Sequence, residues 1–124
     1  MVESPLEDKS TKFAVRIVKM VKYLRANRDN TLASLYNQVL RSGTSIMANV
    51  GEAQYAQSTA DFVAKLHIAL KEANETRKWL TVLQQSDSLT DSEATSMLSD
   101  LSEIIAMLVS SLNTLKSNLD SDNK

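Results

Sequence analysis

Two glycines, Gly43 and Gly51, and a single proline, Pro5, are all that punctuate this chain of 124 residues. Turns and strand-rich folds depend on those residue types for positive φ angles and fixed bends, so their scarcity predicts long uninterrupted helices. A hydrophobic content of 43% in a chain of this length is enough for one continuous core. The sequence therefore reads as a single all-α domain over residues 1–124.

Four segments carry helical periodicity. The first, about 8–28, places Phe13, Ile17, Met20, Val21 and Leu24 at spacings of three and four. The second, about 31–55, opens near Asn30 or Thr31, either of which can cap free amides. It carries Leu32, Leu35, Val39, Ile46 and Val50 on one stripe and Tyr36, Leu40, Gly43 and Met47 on another. A helix apolar on so much of its circumference is either central or shared with another subunit.

The third segment, about 58–85, starts at Ser58 and Asp61, which resemble a capping box with Asp in place of Glu. Its seam is Phe62, Leu66, Ala69, Ala73, Thr76, Leu80 and Leu83. The fourth, about 90–119, opens on Thr90-Asp-Ser-Glu93, a capping box in the strict sense. Leu98, Leu101, Ile105, Leu108, Leu112, Leu115 and Leu119 continue it in the three-four rhythm of coiled-coil-like packing. The tail, Asp120 to Lys124, is polar and expected to fray. Short links make neighbours antiparallel, giving an up-and-down antiparallel four-helix bundle.

Reaction chemistry is hard to assemble from these residues. There is no cysteine, hence no disulfide or thiolate metal site, which fits a reducing, cytoplasmic setting. The only histidine, His67, has Ala64 where a Glu-x-x-His di-iron pair needs its glutamate. No Gly-rich phosphate loop or nucleophile elbow occurs, and no serine has a histidine placed to activate it. Glu72 and Glu75 read as surface carboxylates with Arg77 and Lys78 as nearby ion partners. Trp79 reads as a packing anchor at a helix or subunit contact. No catalytic residue, metal site or cofactor is assigned. The apolar runs are far shorter than the roughly 20 residues of a membrane span, and no basic-then-apolar leader opens the chain.

Charge is placed unevenly beneath a net value of −1. Lys9, Lys12, Arg16, Lys19, Lys22, Arg25 and Arg28 occupy the first helix with no acid among them, while the chain from Asp87 onward is predominantly acidic. Lys9, Lys12, Arg16 and Lys19 form a cationic ridge opposite or beside the apolar face, able to attract phosphates and gain affinity by counterion release. Aromatic interleaving, which readers of single strands use for stacking, is limited to Tyr23. The second helix carries a polar line, Gln38, Arg41 or Ser42, Ser45, Asn49 and Glu52, at spacings that put it on one stripe. Such a line at a seam is read first as a hydrogen-bonded network fixing register between helices or subunits.

The run Gln38-Val-Leu-Arg41-Ser-Gly-Thr-Ser45-Ile46-Met-Ala-Asn49-Val-Gly-Glu52, then Ser58-Thr-Ala-Asp61-Phe62, Leu66-His-Ile68-Ala69-Leu70, Glu72 and Glu75, resembles a bacterial family of four-helix-bundle proteins. Its members are encoded by intervening sequences within 23S ribosomal RNA genes, and it is similar to the accessory variability proteins of diversity-generating retroelements. The resemblance is close over helices two and three and one of pattern elsewhere. It implies a homopentamer around a central channel, with no enzymatic activity established and a role in binding nucleic acid proposed most clearly for the retroelement branch. It also makes Gln38, Arg41, Ser45, Asn49 and Glu52 the family's polar signature, structural or interfacial in character. Two departures stand out: Val50-Gly51-Glu52-Ala53 replaces the usual Ile-Ala-Glu-Gly, and the net charge is slightly acidic where nucleic-acid-binding members are strongly basic.

Three functions compete on this evidence. One is an oligomeric RNA- or DNA-binding accessory protein using Lys9, Lys12, Arg16, Lys19, Lys22 and Arg25. The second is a protein-interaction scaffold using Tyr36, Leu40 and Met47. The third, an enzyme built on Glu52 with Glu72 or Glu75, has the least support.

Overall fold

The computed structural model of the chain describes residues 4–27 and 30–122, the last four of these as backbone alone. Arg28 and the side chain of Leu119, both counted in the sequence patterns, lie outside the described residues. Among those described, the elements are α1 (Pro5–Asn27), a 3-10 turn (Asn30–Leu32), α2 (Ala33–Ala53), α3 (Thr59–Gln85) and α4 (Asp91–Asp122).

Each start has a local cause. α1 begins earlier than the periodicity predicts because Ser4 caps it: the Glu7 amide donates to Ser4 Oγ at 3.0 Å, and the Asp8 amide donates to the Ser4 carbonyl at 3.1 Å. Pro5 then occupies the first helical position, where its missing N–H costs nothing. At α2 the expected cap by Asn30 or Thr31 is replaced by the 3-10 turn, which tightens the entry so that Leu32 stands at the cap position without a side-chain capping bond. Ser58 caps α3 by accepting from the Asp61 amide at 3.0 Å. The shorter Asp61 carboxylate reaches back to the Gln57 amide at 3.3 Å. The Thr90/Glu93 box forms in both directions, at 2.8 and 3.1 Å.

Between α3 and α4 the chain turns through Asp87 in the left-handed region at φ 62°. The Ser88 amide donates to the Leu83 carbonyl at 2.9 Å and the Asp87 amide to the Gln84 carbonyl at 3.1 Å. That pair of bonds is the Schellman closure of a helix end. α4 continues to Asp122, three residues past the end near Leu119 that the periodicity predicts.

Cross-helix pairs establish the topology. Ile17 meets Gly43 and Arg25 meets Asn37. Thr76 meets Ser42 and Lys65 meets Glu52. Lys9 meets Glu103 and Arg16 meets Asp100. In each set one number rises as the other falls, so the helices of each pair are antiparallel. Gln84 reaches Asp91 at one end of α3 and α4, while Phe62 and Leu115 share a groove at the other. The result is an up-and-down four-helix bundle.

Its core is one cluster drawn from all four helices, including Phe13, Ile17, Tyr36, Ile46, Leu66, Leu80, Leu101 and Leu108. The α3 seam holds as read, with Leu66, Ala69, Ala73, Thr76, Leu80 and Leu83 buried and Phe62 packed at its edge. On α4 two positions shift: Met97 and Ile104 are buried, whereas Leu98 and Ile105 lie half-buried beside the core. A residue step of 100° makes adjacent apolar positions nearly equivalent by spacing, and only the facing helices decide between them. By length and composition alone Asp91–Asn118 could cross a membrane, at mean hydropathy 1.2, but in the bundle its apolar stripe closes the core.

α1 and α2 approach closely at Gly43, where a Cβ would stand 2.8 Å from one side-chain carbon of Ile17 and 3.0 Å from another. No other residue fits there without moving a fully buried side chain. Gly51 meets nothing within 4 Å.

Candidate nucleic-acid interface

The cationic ridge of α1 lies beside its apolar face, on the flank turned toward α4. There it meets the acids that the sequence places in the last quarter of the chain. Lys9 Nζ bonds Glu103 Oε2 at 2.6 Å, and Arg16 bonds Asp100 Oδ2 at 2.5 Å and Ser96 Oγ at 2.8 Å. The hydrogen bond and charge of Glu103 hold the Lys9 ammonium pKa above its ordinary value. Lys12 pairs within its own helix with Asp8 at 3.0 Å. These pairs are solvent-exposed, so water screens them and each adds little to the stability of the fold. Their larger effect is on the field: two cations of the ridge, Lys9 and Arg16, are matched by acids of α4 and cancel on folding.

The remaining cations of α1 behave differently. Lys19 and Lys22 are exposed with no carboxylate partner among the described residues. Arg25 donates to Asn37 Oδ1 and stands 5.9 Å over the Tyr36 ring. Lys19, Met20 and Tyr23 share an open groove of about 430 Å³ with Leu89, Glu93 and Met97 at the entry to α4. On the opposite flank Val15, Val18 and Met47 line an apolar groove of about 370 Å³ between α1 and α2, with Lys19 and Lys22 on its edge. Of the second apolar stripe of α2, Tyr36 and Gly43 are buried within the bundle, while Leu40 and Met47 stay half-buried.

The polar line of α2 falls on the side facing α3. Arg41 bridges both Glu72, at 3.3 Å, and Glu75. Glu52 takes Lys65 at 3.4 Å. These bonds correct the expected pairing of Glu72 and Glu75 with Arg77 and Lys78: Arg41 of α2 takes both carboxylates, while Arg77 donates to Asn74 Oδ1 and Lys78 stays exposed. Ser45 and Asn49 stay within the helix, donating to the carbonyls of Arg41 at 2.7 Å and Ser45 at 2.8 Å. Gln38 is exposed. The buried polar contact between the helices is Thr76 with Ser42, at 2.9 Å. Sequence spacing offered both residues but could not pair them, because it does not give the relative height of two helices.

His67 is exposed on α3. Trp79 is half-buried against the core, with its indole N–H buried and without an acceptor among the described residues. No group of three or more His, Cys, Asp or Glu suited to a metal occurs among the described residues.

Residues 5–110 match the family described as 23S rRNA-intervening sequence protein. No curated protein matches the chain. A crystal structure of a protein of unknown function from the S23 ribosomal protein family of Bacteroides thetaiotaomicron is 47% identical. The match covers 86% of this chain and 97% of that one, with a TM-score of 0.83.

Proposed function

The chain belongs to the 23S rRNA-intervening sequence protein family, and from that premise we propose that it is a non-enzymatic, oligomeric accessory protein that binds structured RNA or DNA in the cytoplasm. The observation that carries this reading is the pair Lys19 and Lys22, exposed on the C-terminal half of α1 and in no ion pair with the acids of α4 among the described residues. Lys9 and Arg16 contribute less than their number implies, because Glu103 and Asp100 already hold them. A phosphate backbone approaching α1 therefore meets its strongest field at Lys19 and Lys22.

Assembly into a homo-oligomer, a pentamer by the family resemblance, is supported by the exposed Val15 and Val18 beside Met47. Apolar side chains gathered at one groove are what self-association covers. A non-enzymatic role is supported by the engagement of Glu52, Glu72 and Glu75 in ion pairs across the α2–α3 seam. The same apolar groove favours a second reading, a scaffold that docks another protein without touching nucleic acid.

Mobility shift of structured ribosomal RNA over a salt series is the test. Affinity should fall steeply and linearly with the logarithm of salt. Absence of binding at low salt, or binding indifferent to salt, leaves only the scaffold reading.

A further inference from the structure

α3 looks electrically balanced in sequence, with Lys65, Lys71, Arg77 and Lys78 against Asp61, Glu72 and Glu75. The fold separates the two signs. Arg41 draws Glu72 and Glu75 to the α2 side, Glu52 takes Lys65, and Asp61 is engaged at the helix cap. The outward face keeps His67, Lys71, Asn74 and Lys78, at steps of four, three and four along a single stripe. Arg77 stands next to it, its guanidinium held by a 2.7 Å bond to Asn74 Oδ1. Lys71, Arg77 and Lys78 have no carboxylate partner among the described residues.

Along its middle the neighbouring surface of α4 adds no opposing charge; Asp91, at the α4 start, is bonded to Gln84 at the far end of α3. The central acids of α4, Asp100 and Glu103, are turned to α1 by Arg16 and Lys9. No acid follows in the sequence until Asp120. The pairing that cancels the ridge on α1 thus leaves the α3 face uncancelled. An open groove of about 520 Å³ runs along it, with His67, Lys71, Asn74 and Lys78 on its walls and Glu75, held by Arg41, at its α2 edge.

We propose that this outward face of α3 is a second binding site for a phosphodiester backbone, with Lys71, Arg77 and Lys78 as the phosphate contacts and Asn74 as the residue that positions Arg77. The proposal rests on the nucleic-acid reading above and extends it to a helix whose sequence sets four cations against three acids. Lys71 and Lys78 stand about 10 Å apart along the helix axis. One strand of a duplex, rising about 3.4 Å per phosphate, covers that distance in roughly three steps. The stripe has no aromatic ring to stack on a base, so the contact reads backbone rather than sequence.

Full-length K71Q/R77Q/K78Q and K12Q/K19Q/K22Q are compared with the parent protein for binding a structured RNA hairpin and a DNA duplex across a salt series. Circular dichroism checks that each variant is folded. The α3 variant should bind at least about tenfold more weakly at low salt, and its salt slope should be shallower by about 2 to 3 on either nucleic acid. A double-helical or hairpin substrate of unrelated sequence should lose the same amount. Parent-like binding by the α3 variant, with loss confined to the α1 variant, overturns this inference and leaves the nucleic-acid reading intact. Failure of the parent protein to bind either probe at low salt overturns both.

Discussion

Thr76 on α3 donates a 2.9 Å hydrogen bond to Ser42 on α2, and neither side chain is exposed to solvent. The two hydroxyls lie in a wall otherwise made of Val39, Ile46, Ala73 and Leu80, so they fix the relative height of the two helices where apolar packing alone would permit sliding. The fallback bonds are unequal. Thr76 also lies 2.8 Å from the Glu72 carbonyl, whereas Ser42 has only a 3.4 Å contact to the carbonyl of Val39. Thr76→Val should therefore cost about 1–2 kcal/mol by orphaning Ser42, and Ser42→Ala less than about 1 kcal/mol. The double variant should cost less than the sum. Urea denaturation of all four proteins measures this, and strict additivity would contradict the coupling.

The two glycines should respond to alanine in opposite directions. Gly43→Ala forces a methyl group against Ile17 in a fully packed core and should destabilise by about 1–3 kcal/mol, less the helix-propensity gain of nearly 1 kcal/mol. Gly51→Ala meets open space and should keep that gain as increased stability. Thermal unfolding of the pair decides the matter. A Gly43→Ala protein as stable as Gly51→Ala would mean that α1 and α2 are not pressed together at Ile17.

Asp87 occupies the position at the end of α3 that glycine usually takes. Its left-handed backbone is tolerated by aspartate at some steric cost. Asp87→Gly should stabilise the protein by up to about 1 kcal/mol, and Asp87→Ala should not. Equal stability of the glycine and alanine variants would show that the Schellman closure carries no strain at this residue.

The bundle was legible because its information is local and periodic: caps at Ser58 and Thr90, and a seam from Leu66 to Leu83 that follows one helix face. Misplaced boundaries have equally local causes. Ser4-Pro5-Leu6-Glu7 is a start signal lying ahead of the first apolar repeat, so periodicity alone overlooks it. On α4, adjacent leucines and isoleucines compete for the core, and the choice of Ile104 over Ile105 depends on what faces them. The candidate interface was legible only as composition. Counting charge along α1 located the cations but not their partners, since Arg16 and Asp100 are separated by most of the chain. The neutral-looking α3 gave no sign that Arg41, on another helix, would take both of its central acids.

That long-range cancellation yields a prediction about function. Asp100→Asn with Glu103→Gln removes the carboxylates that hold Arg16 and Lys9 and moves the formal net charge from −1 to +1. The lost ion pairs are exposed, so stability should change little. If α1 contacts a phosphate backbone, two more cations become available to it, and the double variant should bind structured RNA more tightly with a salt slope steeper by up to about 2. The comparison must be made over a range of salt, because a general rise in net charge strengthens the approach of any polyanion while added contacts change the slope. Adding Lys9→Gln and Arg16→Gln should return the slope to that of the parent protein. A variant that binds no better than the parent, or whose gain survives loss of Lys9 and Arg16, would place the α1 ridge outside the interface.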